Sequence, residues 1–158
     1  MIKKSTIVLA SLLVLGISQG AIAGPKKLKK FDDVVDSLQD GNLVRAVIDF
    51  DKCSLANNTM KLERRKPVGG LSFSKFMKYD TDVDGKKTTV VATTETMLVN
   101  SEKYGLVYDR LSMHMMSDGS VEFVSELIDP KNYVQVGEMV YNCAFNKDKG
   151  SVMMFEVS

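Results

Sequence analysis

Residues 79–87 read YDTDVDGKK, and three aspartates at alternate positions, Asp80, Asp82 and Asp84, lead into Gly85. Alternate carboxylates followed by glycine form the first half of a calcium-binding loop, where each carboxylate turns towards one cation and the glycine permits the bend. Counted from Asp80, the bidentate acid that such a loop needs at its end is replaced by Val91, and Lys86 and Lys87 place positive charge where a cation must approach. The competing reading is a tight hairpin turn at Asp84-Gly85 with solvated aspartates. A second ligand set lies in SMHMM, residues 112–116. His114 and Met116 share one face of an extended strand, and imidazole with thioether suits Cu(I). Met113 and Met115 fall on the other face with Leu111, where methionine fills apolar space. Calcium at Asp80, Asp82 and Asp84 and copper at His114 and Met116 are the metal candidates. No other cofactor is expected.

Covalent catalysis has little to work with. The chain has one histidine and no G-x-S-x-G elbow, and its two cysteines, Cys53 and Cys143, are far from a Cys-x-x-Cys spacing. An even cysteine pair in an oxidising compartment predicts a structural disulfide. Closing a loop of about 90 residues would contribute roughly 4 kcal/mol in the chain-entropy description. Asp49, Asp51 and Asp109 lie near strands, but nothing in the sequence selects a pair of carboxylates for acid-base work. The expectation is a protein without catalysis. Two basic groups could meet an anionic surface: Lys26, Lys27, Lys29 and Lys30, and Lys61, Arg64, Arg65 and Lys66, the second interrupted by Glu63.

The elements that must position these residues follow from periodicity. Phe31, Val34, Val35 and Leu38 recur at helical spacing, with Asp32 and Asp33 suited to the positive end of a helix and Gly41 to the position just past its end. From residue 43 the period becomes two. LVRAVIDF puts Val44, Ala46, Ile48 and Phe50 on one face, and GLSFSKFMKY puts Leu71, Phe73, Met77 and Tyr79 on one face. Five further segments continue the alternation, joined by Asp-Gly and Asp-Pro turns. The prediction is an antiparallel meander of about seven strands after a short N-terminal helix. The disulfide must bring the meander's ends together, which requires a barrel or a sandwich. Residues 24–30 read as a flexible basic arm, and residues 54–69 as one long polar loop.

The N-terminus predicts the compartment. Lys3 and Lys4 precede the apolar run TIVLASLLVLGI, and AIAG supplies the small residues a signal peptidase reads, so residues 1–23 are expected to be cleaved. Ser18, Gln19 and Gly20 interrupt the run before the roughly 20 apolar residues that a membrane span needs. Loss of Lys3 and Lys4 leaves 19 basic against 20 acidic side chains, a balance that argues against nucleic acid as a partner. Residues 24–158 would form one exported domain, periplasmic or secreted and not transmembrane.

Taken in order, DSLQDG, VRAVIDFDKCSL, GGLSFSKF, MSDGSVEFVSEL and VYNCAF resemble the VirK family of exported bacterial proteins. The likeness spans almost all of residues 24–158 and rests on the order of the whole set. YDTDVDGKK departs from it, since the family pattern would have a simpler turn there. The resemblance implies a virulence setting in association with a host or plant, and it carries no reaction and no catalytic residues. The expected function is therefore binding to an envelope or host macromolecule or an anionic surface. The alternative is a carrier of a small apolar ligand or of a metal ion.

Overall fold

The computed structural model describes residues 24–58, 68–83, 85–145 and 150–157. The expected helix, α1, spans Phe31–Gln39 and buries Val34, Val35 and Leu38 on its apolar stripe. Asp33 closes its first turn: Oδ2 accepts the backbone N–H groups of Lys29 at 3.1 Å and Lys30 at 3.0 Å. Gly41, just past the helix end, takes the expected left-handed conformation at φ +82°.

Ten strands accompany the helix among the described residues, against the expected seven or so. They are β1 (Lys26–Leu28), β2 (Leu43–Asp49), β3 (Ser54–Asn58), β4 (Val68–Phe73), β5 (Met77–Val83), β6 (Lys86–Ser101), β7 (Gly105–Met116), β8 (Ser120–Ile128), β9 (Gln135–Ala144) and β10 (Val152–Val157). The extra three have separate causes. Lys26–Leu28 is no free arm; it pairs with β10, buries Leu28 and joins Lys26 to Glu156 at 3.2 Å. The presumed loop after Cys53 begins as β3, which pairs with β9. The segment read as one strand over residues 70–79 breaks at Ser74–Phe76 into β4 and β5.

That break sends the two halves into different sheets. Leu71 and Phe73 are buried in a four-stranded sheet of order β1-β10-β2-β4, whereas Met77 is exposed and Tyr79 only partly covered at the edge of a six-stranded sheet, β3-β9-β8-β7-β6-β5. Leu71, Phe73, Met77 and Tyr79 keep to odd positions across the bend while the face they occupy changes from the core to the outside, so the sequence pattern ran straight through it. Thr93 Oγ1 holds the crossing by donating to the carbonyl of Lys75 at 2.7 Å.

Both sheets are antiparallel throughout, and their facing sides enclose the core: Val44, Ala46 and Ile48 from β2, Leu71 and Phe73 from β4, Met154 from β10, and Met113, Met115, Val121 and Phe123 from β7 and β8. The helix contributes Val34, Val35 and Leu38 to the same cluster. An isolated bridge between Phe145 and Val152 is the only pairing that joins the sheets among the described residues, so these residues form no closed barrel and fit a sandwich-like arrangement. Cys53 and Cys143 are bonded, with an S–S distance of 2.08 Å. The bond pins the point where the chain leaves β2, makes a single 3₁₀ turn at Phe50–Lys52, and enters the second sheet. No helix among the described residues is long and apolar enough to cross a membrane.

Candidate functional site

The aspartates of the opening stretch lie along a strand edge. Asp80 and Asp82 are exposed on β5, and an extended strand spaces its carboxylates along one line, whereas a calcium loop wraps them round a centre. Asp80 Oδ1 accepts a hydrogen bond from Thr89 Oγ1 at 2.7 Å, and Lys87 stands directly across from Asp82. Asp84 lies outside the described residues, as do Lys61, Arg64, Arg65 and Lys66 and the expected signal peptide. Among the described residues, no three His, Cys, Asp or Glu side chains gather as a metal site would require.

His114 and Met116 do share a face of β7, turned away from the wholly buried Met113 and Met115. Each already has a partner. His114 Nδ1 lies 3.2 Å from Glu122 Oε1, directly across on β8, and Met116 Sδ accepts from Ser120 Oγ at 3.0 Å. The two donors are thus held by neighbours across the β7–β8 hairpin. With both cysteines in the disulfide, neither is available as a nucleophile or thiolate ligand.

The structure singles out a different residue. Along the inward side of β7 run Val107, Asp109, Leu111, Met113 and Met115, a row in which one carboxylate interrupts apolar side chains. On β8 the inward row is Val121, Phe123, Ser125 and Leu127, with Ser125 the matching interruption. Antiparallel register sets Leu111 opposite Ser125 and Asp109 opposite Leu127, which brings the two polar residues together diagonally. Ser125 Oγ donates to Asp109 Oδ1 at 2.8 Å. Burial pushes the Asp109 carboxyl above its ordinary range, an effect that the hydrogen bond from Ser125 partly opposes.

Around this pair is a recess of about 250 Å³ between the six-stranded sheet and β4. Its walls are Leu111, Phe123, Met139 and Tyr141 from the larger sheet, Phe50 from the 3₁₀ turn, and Gly69 and Gly70 from β4. The Phe50 ring meets Phe123 edge-on at 4.9 Å between centroids and Tyr141 at 4.8 Å, so three aromatic rings form one wall. Gly69 makes room for that ring: a Cβ there would lie 2.9 Å from Phe50 Cε2. Burial also pushes the Tyr141 phenol above its usual pKa. Among the described residues, no lysine or arginine lines the recess.

Asp109 was within view in the sequence as one of three aspartates near strands. The signal that could have separated it from Asp49 and Asp51 was its parity with Leu111, Met113 and Met115, joined to the same break at Ser125. Asp49, by contrast, pairs with Lys52 at 2.9 Å, and Asp51 is exposed.

A family model described as VirK protein matches residues 27–133. Among solved structures, the chain is similar to a crystal structure of a VirK family protein from Legionella pneumophila. The TM-score is 0.63 at 15% sequence identity, over 82% of this chain and 98% of that one, a likeness that concerns the fold. No curated protein matches the chain.

Proposed function

The chain belongs to the VirK family, and from that premise we propose that it is an exported, virulence-associated binding protein that acts without catalysis and holds a small ligand in the recess beside Asp109. Export is supported by the family and by the Cys53–Cys143 disulfide, since such bonds persist in oxidising compartments. The observation that carries the binding reading is the recess itself. It is an apolar, largely aromatic space of about 250 Å³ with a carboxyl and a hydroxyl turned into it. Ligand sites have this composition, an apolar lining with a few placed polar groups that set orientation. Its size is just below the roughly 300–1,000 Å³ of pockets for drug-sized molecules, which suits a small ligand. The expected partner surface at Lys61, Arg64, Arg65 and Lys66 lies outside the described residues, so the small-ligand reading is the one that stands on geometry.

The test is fluorescence titration with N-phenyl-1-naphthylamine, an uncharged dye that brightens in apolar surroundings. The protein should bind it saturably, and Leu111→Phe with Met139→Phe, which fill the recess, should weaken binding at least tenfold while circular dichroism stays unchanged. Equal dye binding by the filled variant would remove the recess as the binding site.

A further inference from the structure

We infer that the ligand of this recess is a small amine with an apolar body, its ammonium group held by Asp109; the inference rests on the recess being the binding site. Among the described side chains lining the recess, Asp109 brings the one carboxyl, and none is basic. On β6, Glu95 stands directly across from Leu111 and Met97 across from Asp109. Among the described residues, the other titratable group lining the recess is the Tyr141 phenol on β9; β4 contributes Gly69 and Gly70, and the 3₁₀ turn contributes Phe50. A carboxylate or phosphate ligand would therefore meet like charge in an apolar setting.

A cation gains there in two ways. An ammonium group can form a charge-assisted hydrogen bond to the Asp109 oxygens, which Ser125 leaves with spare acceptor capacity. It also enters an aromatic lining, and rings attract cations through their quadrupoles. Phe50, Phe123 and Tyr141 supply the rings and the apolar contact for the rest of the molecule. Asp109 is an inward-turned acid whose ionised form is disfavoured by burial. A bound ammonium would supply the countercharge that the described lining lacks. Binding should accordingly fade on acidification at a pH above that of an ordinary carboxylate, as Asp109 takes up its proton.

Isothermal titration with 2-phenylethylamine and its neutral analogue 2-phenylethanol, at neutral pH, tests the assignment. The wild type should bind the amine at least tenfold more tightly than the alcohol. Asp109→Asn, which keeps an acceptor for Ser125, should bring the two within about threefold by weakening the amine, and Glu95→Gln should retain most of the preference. Equal binding of amine and alcohol by the wild type would overturn the amine assignment and leave the recess standing as a site. An amine preference that survives Asp109→Asn would overturn it too, by placing the cation elsewhere. If neither compound binds while the naphthylamine dye still does, the ligand class is wrong; if the dye also fails, the recess is not a binding site.

Discussion

Replacing both Cys53 and Cys143 by alanine should destabilise the protein more than any substitution confined to one surface side chain. The two residues are 90 apart in sequence, and the bond between them encloses β3 to β8 and most of β9. Fixing the ends of a loop of that length removes about 15 cal/mol/K from the entropy of the unfolded chain, or about 4.6 kcal/mol at room temperature. Most single domains are stable by only about 5–15 kcal/mol, so the loss is a large share of the total. With an m-value of about 2 kcal/mol/M, the urea midpoint should fall by roughly 2 M. The assay is equilibrium unfolding followed by far-ultraviolet circular dichroism, since the chain has no tryptophan. Because the bond also pins the turn that carries Phe50, the variant should bind the naphthylamine dye more weakly even where it is fully folded. A midpoint shift under about 0.5 M would refute the reasoning, by showing that the unfolded chain keeps the ends of this loop close without the covalent link.

Two further perturbations have directions set by the structure. Asp109 has a pKa raised in the folded state, so the native protein holds that proton more tightly than the unfolded chain does. Stability from this group is full below its ordinary value of 3.8 and is lost as pH rises through the elevated one. Asp109→Asn should therefore flatten the decline in urea midpoint on going from acid to neutral pH, and a wild-type profile that rises over this window with the same slope in the variant would contradict the assignment. Gly119, in the turn between β7 and β8, has φ +89°, and an added Cβ would lie 2.9 Å from the carbonyl oxygen of Phe145. Gly119→Ala should cost about 2 kcal/mol in chemical unfolding, because the conformation and the contact with backbone both oppose a side chain; a loss under about 0.5 kcal/mol would show that the turn relaxes freely.

What the sequence made legible was mostly local. The stripe of α1 and the alternation in β2 and β8 buried the residues their spacing predicted, because each element packs one face against a single core. The cysteine pair was equally readable, and so was the family. Less was visible where the outcome depended on tertiary placement. β1 is three residues of a lysine-rich segment held by β10, the last strand of the chain, a partner that local composition cannot reveal. The break between β4 and β5 preserved the alternation and so left no trace in it. The recess required residues from five separated elements, and only the interruptions at Asp109 and Ser125 marked it in advance. Of the residues whose spacing resembled metal chemistry, Asp80 and Asp82 lie along a strand, and His114 and Met116 have neighbours across the β7–β8 hairpin.

The most direct measurement of the binding account is a titration of 2-phenylethylamine into protein carrying isotope-labelled methionine methyl groups, followed by nuclear magnetic resonance. Met139 borders the recess, Met113, Met115 and Met154 are wholly buried in the core, and Met116 lies on the opposite face of the sheet. The Met139 methyl resonance should shift saturably while that of Met116 stays in place. A titration in which Met139 does not move, or moves no more than Met116, would contradict it.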